Sequence, residues 1–426
     1  MVSPEQPPLP LLFVIGDTGG GHRSAAIAVQ QALDSVLPGQ FTPVICDPLR
    51  GPDVPRLLRW FAGLYGPCIR LTPWLWWLFW QSSQSPRVLS MVRRTFMSPV
   101  YGTVARAAQA CQPALIVAFH PMTADPAVRA RNLGNVFAPV VTVITDLITA
   151  HLSWRDAAVD RVVVPSAAVA DSFARDGMSA ERYVPLGLPV AAEFCRPPLN
   201  EAGRGDLKRE LGVKGEFLVV LTGGAEGSGG LRRRAAAILR QVEDVDVAVI
   251  CGRNRSLRRR LGKVAERSGD GRLTAHGFVA NMADWLRCAD VVVGKAGPGT
   301  IAEANCCGAP LVLTSFVPGQ EKGNAEFVTQ TGAGVYAARP RHLATEIGRL
   351  RRDPAALEAM RGASVRAGRP AAAADIARFI ADLAGRTASG ERTDWPGEGA
   401  LLPALIADPP SRRELLTYFL TDAADS

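Results

Sequence analysis

Leu11-Leu-Phe-Val-Ile15, then Gly16-Asp-Thr-Gly-Gly-Gly-His22, then a stretch to Leu37 with apolar residues at Ala25, Ile27, Ala28, Val29, Ala32 and Leu33, decides the fold. Five consecutive apolar residues read as a strand covered on both faces, the glycines as a turn, and the spaced apolar residues as a helix. Strand, glycine loop and helix open a parallel α/β unit. Further short apolar runs follow at Val44 to Cys46, Ala114 to Phe119, Val140 to Ile144 and Arg161 to Val164. A segment rich in Pro, Gly and charge, about residues 189–205, reads as a linker. Beyond it the scheme restarts. Phe217 to Leu221 leads into Thr222–Gly230, and Val247 to Cys251 into Gly252-Arg-Asn254. Val291 to Val293 leads into Gly294-Lys-Ala-Gly-Pro-Gly-Thr300, and Leu311 to Leu313 into Pro318-Gly-Gln-Glu321. Two α/β halves are expected, an N-terminal domain over 1–195 and a C-terminal domain over 206–375, facing each other across a cleft. A tail over 376–426, with an amphipathic stretch from Arg412 to Leu420, has no assigned role.

The composition fits this picture. With 426 residues, 47% apolar and 21% charged, the chain is neither a disordered tail nor a small disulfide scaffold. Its eight cysteines are scattered without a C-x-x-C pair or a zinc-like spacing, which predicts free thiols in a reducing compartment and no metal. The one D-x-D, Asp244-Val-Asp246, precedes a strand rather than following one, where ligands do not usually collect. The N-terminus lacks the basic region and cleavage site of a signal peptide. The net charge of +8 implies an acidic partner.

That charge is concentrated. Residues 54–124 contain seven Arg, including Arg93 and Arg94, and no acid; Leu57 to Trp80 within them holds five of the eight Trp, with Trp74, Trp76, Trp77 and Trp80 nearly contiguous. Arg59, Pro67, Arg70 and Pro73 interrupt the run, so it does not read as a bilayer span. Trp mixed with Arg suits a segment lying in a membrane interface, on anionic lipid; an aromatic core segment or a dimer contact is the other reading. The rest of the chain is close to neutral and carries no nucleic-acid module, so no nucleic-acid partner is expected.

The loops at Gly16–Gly21, Gly223–Gly230 and Gly297–Thr300 let backbone N–H groups approach an anion at a helix N-terminus, although a glycine after a strand is often only a tight turn. None is a G-x-G-x-x-G dinucleotide loop or a hydrolytic P-loop. A phosphate-bearing ligand is expected. His22, beside the first loop, is the residue type suited to taking a proton from a hydroxyl at neutral pH, or it simply binds an anion at a helix end. Glu303, expected in the first turn after Thr300, can accept hydrogen bonds from a ribose diol, or is an acidic residue favoured by the helix dipole. Asp146, His151 and Trp154 follow the Val140 run and can shape an acceptor site, unless Trp154 covers the core edge.

The blocks Gly16–Ala26, Thr142–Asp146 with His151 and Trp154, Cys251-Gly-Arg-Asn254, Gly294–Glu303 and Pro318–Asn324 resemble, in order over residues 10–375, the monogalactosyldiacylglycerol synthases and related bacterial diacylglycerol glycosyltransferases. The wider group includes the peptidoglycan lipid N-acetylglucosaminyl transferase. The resemblance implies a GT-B fold and an inverting transfer of hexose, without metal or other cofactor, from UDP-galactose or UDP-glucose to diacylglycerol. It also implies a peripheral location on the cytoplasmic face of the membrane. By position, His22 is the base or an acceptor-site group. Gly20, Gly21, Gly224, Ala225, Glu226 and Arg253 lie near the diphosphate, with Gly297, Gly299 and Thr300. Phe278 and Val279 meet the uracil and Glu303 the ribose. Gln320 and Glu321 meet sugar hydroxyls, and Asn324 supports the donor loop. Ala225 stands where a third glycine is usual. A nucleotide-sugar-binding protein without transferase activity, and an enzyme that hydrolyses or epimerises UDP-sugars, are the competing readings.

Overall fold

The computed structural model describes residues 7–16, 20–50, 54, 68, 72–133, 136–155 and 158–390. Trp60, Arg56, Arg59, Arg70, the Asp17–Gly19 part of the first loop and the Arg412 to Leu420 stretch lie outside them.

Two six-stranded sheets form, each wholly parallel. The first has β1 (Leu9–Val14), β2 (Phe41–Cys46), β3 (Leu115–Ala118), β4 (Val140–Val143), β5 (Arg161–Val164) and β6 (Tyr183–Pro185), in the order β2-β1-β3-β4-β5-β6. The second has β7 (Phe217–Thr222), β8 (Val245–Ile250), β9 (Leu273–His276), β10 (Val291–Lys295), β11 (Leu311–Ser315) and β12 (Gly334–Tyr336), in the order β12-β11-β10-β7-β8-β9. Each order reverses direction once, between β1 and β3 and between β7 and β10. There the outgoing loops diverge and leave a crevice at the carboxyl ends of the strands.

The reason for this architecture is visible in β1. Leu11 and Phe13 pack on one side of the sheet, Leu12 and Val14 on the other, and all four are fully buried. Such a strand needs helices on both faces, which parallel crossovers supply. Three strands have no apolar run in the sequence, β6, β9 and β12, and each lies at or near a sheet edge. The expected linker is partly ordered: it contains a short turn, Ala192–Cys195, and the start of the Glu201–Glu210 helix, capped by Asn200 accepting from Gly203 N–H at 2.8 Å.

The expected tail needs correction up to residue 388. The Ala372–Ala388 helix straddles the 375 boundary and returns to the N-terminal sheet. Its Ile376, Ala377, Ile380, Ala381 and Ala384 pack with Ala25, Val29 and Leu33 of the Gly21–Val36 helix over Phe13 and Val117. This apolar stripe at i, i+4 and i+8 belongs to the N-terminal core, and it ties the end of the chain to its beginning. Ile380→Ala should therefore destabilise the N-terminal domain by about 2–4 kcal/mol, read as an earlier first transition in urea unfolding. An unchanged midpoint would show that the helix is not part of that core.

Candidate active site

The first crevice is built around a histidine pair. His22 sits in the opening turn of the Gly21–Val36 helix, after Gly20 turns the chain at φ +87°. Its Nδ1–H is shared between the Phe119 carbonyl at 2.8 Å and the Thr145 hydroxyl at 2.7 Å. A carbonyl only accepts, so the ring proton is on Nδ1 and the basic lone pair is on Nε2. His120 stands edge-on to it, ring centroids 4.4 Å apart. The His120 Nδ1 accepts the Met122 N–H at 3.1 Å. Burial first, and His22 second, hold its pKa well below the usual imidazole value, so His120 is the neutral member. Gly16 makes room for it: a Cβ there would lie 2.7 Å from the His120 ring. Sequence reading did not single out His120. The available signal was a polar residue at the carboxyl end of the Ala114 to Phe119 run, on the edge where ligands gather.

The residues expected to form an acceptor site divide. Asp146 is buried after β4, and its carboxylate accepts from Trp154 Nε1 at 2.7 Å and from Gln320 Nε2 of the other domain at 3.2 Å. Burial is the main reason its pKa is pushed up to about 6. Trp154 is wholly buried in the N-terminal core, its ring centroid 6.5 Å from that of His22, so it backs the histidine from inside the fold and presents no surface of its own. His151 is buried too: Ser153 N–H and O–H donate to its Nδ1, and its Nε2–H donates to Ser83 Oγ at 3.1 Å. Burial pushes its pKa down to about 4, leaving it neutral.

The tryptophans divide as well. The Pro73–Ser82 helix exposes Trp74 (66%), Leu75, Trp77 (45%), Leu78 and Phe79. Trp76 is half-buried, its ring 5.6 Å from Phe79 and 6.5 Å from Trp80. Trp80 is buried, edge-on to the His151 ring at 4.5 Å, and does not face outward with the others. Arg93 is likewise turned inward, donating to the Ser153 carbonyl at 3.4 Å and lying 4.0 Å from Asp125, because a guanidinium beside a buried carboxylate is held by it. The side chain of Arg94 lies outside the described residues.

The second crevice faces the first. A Cβ on Gly20 would lie 4.0 Å from the Ala225 Cβ, so the two glycine loops meet across the cleft. The β7 loop folds on itself: Arg253 N–H donates to the Ala225 carbonyl at 2.8 Å, and Gly252 supports this close approach, since a Cβ there would lie 2.3 Å from that oxygen. Glu226 forms an exposed pair with the Arg253 guanidinium at 3.4 Å. Gly224 has open space where a side chain would be. Gly297 precedes the Pro298–Cys306 helix, which carries Gly299 and Thr300 in its first turn. Glu303 is the sixth residue of that helix, one turn later than expected, because the helix starts at Pro298. Beyond the strongest influence of the helix N-terminus, burial first and Glu193 second push its carboxyl up to about 7. Phe278 is exposed just past β9, with Val279 half-buried beside it.

The Val317–Glu321 turn carries the remaining expected groups. Glu321 is buried, one oxygen accepting Val317 N–H at 2.9 Å and the other paired with Lys295 Nζ at 2.9 Å. Asn324 donates to the Ala296 carbonyl at 3.0 Å, while its buried Oδ1 has no hydrogen-bond partner among the described residues. Lys295 was overlooked in the sequence, although a lysine in a chain with 43 Arg and 5 Lys marks a position where a compact point charge replaces the usual guanidinium. Asp246 accepts Gly215 N–H at 2.8 Å and Asp244 pairs with Arg351 at 2.9 Å, at the amino end of β8. Among the described residues no three His, Cys, Asp or Glu side chains cluster as metal ligands.

Residues 22–190 match the family model for monogalactosyldiacylglycerol synthase, and residues 218–376 the glycosyltransferase family 28 C-terminal domain. Spinach chloroplastic monogalactosyldiacylglycerol synthase is 31% identical over 81% of this chain and 66% of its own. Arabidopsis monogalactosyldiacylglycerol synthase 3 is 31% identical over 78% of this chain and 72% of its own. The chain thus spans slightly under two thirds of the spinach relative's length. Among solved structures, Acinetobacter baumannii MurG (17% identity, TM-score 0.57) and Anabaena HepE in complex with UDP (16%, TM-score 0.54) each align over 88% of this chain and 100% of their own. These two share the fold, two Rossmann-like domains of the GT-B type. The chain belongs to the monogalactosyldiacylglycerol synthase family.

Proposed function

We propose that this protein transfers a hexose from a UDP-sugar to diacylglycerol at a membrane surface, with inversion and without a metal, His22 acting as the base. One observation carries the reading: a histidine with its Nδ1–H fixed on a carbonyl lies at one switch point, and a glycine loop of the opposite domain faces it there.

The tautomer leaves Nε2 to take the acceptor hydroxyl proton. The hydroxyl oxygen then forms a bond to the anomeric carbon from the side opposite UDP. The bond from that carbon to the diphosphate oxygen breaks, and its electron pair leaves with UDP. The Phe119 carbonyl and Thr145 hydroxyl stabilise the resulting imidazolium, and the neutral His120 adds no repulsion to it. Charge developing on the diphosphate is met by N–H groups of the 223–230 loop, by the N-terminus of the Pro298–Cys306 helix and by Lys295. The names of the relatives favour UDP-galactose over UDP-glucose. No described helix is long and apolar enough to cross a membrane. The lipid is met instead at the exposed face of the Pro73–Ser82 helix, with Arg residues of the acid-free stretch drawing the protein to anionic lipid on the cytoplasmic face.

Incubation with vesicles containing diacylglycerol should give a monohexosyl lipid from UDP-galactose or UDP-glucose, with EDTA leaving the rate unchanged; formation of free hexose or an epimer alone would reject the reading. His22→Ala should lower kcat about 10²- to 10⁴-fold while the Kd for UDP-galactose stays constant, and wild-type turnover in that variant would remove His22 from the base role. Glu303 accepts both hydroxyls of a ribose diol most strongly as the carboxylate, with charge-assisted bonds, and that form predominates above about pH 7. The diphosphate of a UDP-sugar does not titrate between pH 5 and 8, so affinity for UDP-galactose should rise through pH 7, roughly tenfold from pH 6 to the plateau. Glu303→Gln should give a weak, flat profile by calorimetry; a flat wild-type profile would exclude this role for Glu303.

A further inference from the structure

We propose that Trp80 is a positioning residue that couples seating of the Pro73–Ser82 helix at the lipid surface to the donor-sugar turn Val317–Glu321 of the opposite domain. The inference rests on the membrane reading of that helix given above.

The helix has two faces. Trp74, Leu75, Trp77, Leu78 and Phe79 point to solvent, an apolar surface a free monomer rarely presents. Trp76, Trp80 and Ser83, at i, i+4 and i+7, form a narrow inward stripe. A helix of 10 residues is marginal in water by itself. With so narrow an inner stripe, its order depends on what covers the outer face.

The inward stripe ends on the other domain. Trp80 packs against His151, and its Cδ1 lies where a Cβ of Gly319 would be, 2.6 Å away; Gly319 also has φ +85°, which glycine tolerates. The indole therefore rests on the Gly319 backbone. That turn has little slack. Gln320 and Glu321 N–H both return to the Val317 carbonyl, at 3.2 and 2.9 Å. The Glu321 carboxylate closes the same turn on Val317 N–H and holds Lys295. A displacement at Gly319 is thus passed to Gln320, Glu321 and Lys295 together. The helix end is fixed on the same N-terminal loop, through Ser83 to His151 and through Gln84 Oε1 accepting Leu152 N–H at 2.9 Å. Lipid covering the outer face firms the helix, the helix holds Trp80, and Trp80 holds the turn that meets the sugar.

The test uses the full chain and vesicles of phosphatidylglycerol and phosphatidylcholine without diacylglycerol, so that no turnover occurs. Sedimentation reads vesicle binding, and calorimetry reads Kd for UDP-galactose and for UDP. For wild type, vesicles should tighten UDP-galactose about five- to tenfold and UDP by clearly less, because Gln320 and Glu321 face the sugar and only Lys295 of the set faces the diphosphate. Trp80→Ala should sediment like wild type yet lose the tightening, and Trp80→Phe should recover part of it. Gly319→Ala, which drives a methyl into the indole from the other side, should also lose it, with no further loss in the double variant. Trp74→Ser with Trp77→Ser should lose sedimentation and tightening together. Vesicle-induced tightening retained in Trp80→Ala or in Gly319→Ala would overturn the coupling, as would its absence in a wild type that does sediment. A wild type that does not sediment overturns the membrane reading as well. Circular dichroism identifies an unfolded Trp80→Ala, in which case Trp80→Phe and Gly319→Ala decide.

Discussion

Burying the Asp146 carboxyl raises its pKa from 3.8 to about 6, a penalty on the charged form of about 3 kcal/mol. That is the net cost, left after hydrogen bonds from the Trp154 indole and the Gln320 amide have offset part of the burial penalty. The two donors come from different bodies. Trp154 is wholly inside the N-terminal core, and Gln320 belongs to a turn after β11 in the C-terminal domain. A buried polar group left unpaired is expensive, so the Gln320 turn is constrained to stay against the N-terminal domain. The alignment of the two crevices depends on that contact and on the neighbouring one, where Gly323 lies so close to Thr149 that a Cβ would come within 2.8 Å of its hydroxyl.

With the domains held there, the parallel sheets do the rest. Every strand in each sheet points its carboxyl end toward the same edge. The loop after β1 and the residues after β3 and β4 consequently deliver His22, His120 and Asp146 to one small region. The ends of β7, β10 and β11 deliver the 223–230 loop, Lys295 and Glu321 to the facing one. Asp146 and Gln320, 174 positions apart, and Gly20 and Ala225, on opposite domains, thereby become neighbours, with one register shift between Gly294 and Lys295 where β10 meets β11.

What could be read from sequence follows from how local each signal is. β1, β3, β4 and β7 are buried on both faces, and each announces itself as an apolar run, broken only by Thr142 in β4. The glycine loops and His22 follow those runs directly, so they were legible. β6, β9 and β12 are short and half-exposed, and their sequences, such as Leu273-Thr-Ala-His276, have no run to find. Trp80 and Trp154 show a different limit. A tryptophan's residue type suits both a lipid interface and a core, and only the tertiary contacts of His151 and Gly319 with Trp80, or of Asp146 with Trp154, choose between them. The Ala372–Ala388 helix was amphipathic in sequence, but the surface it covers belongs to strands some 250 residues or more earlier.

The charge that first marked residues 54–124 also divides by position. Arg93 is committed to Ser153 and Asp125 inside the fold, so part of the local basic excess stabilises the N-terminal domain and is not offered to lipid. The exposed face of the Pro73–Ser82 helix itself carries no charge at all. Under the proposed lipid contact, attraction at that face would be apolar and short-ranged, scaling with the area of Trp74, Trp77, Leu78 and Phe79 removed from water. On the membrane reading proposed above, the remaining arginines would act over about a Debye length, some 8 Å at physiological salt, and set how often the protein arrives at an anionic surface, and apolar area would set how long it stays. Because the same helix carries Trp80 on its other side, the proposed coupling would tie residence at the membrane, rather than arrival, to the Val317–Glu321 turn.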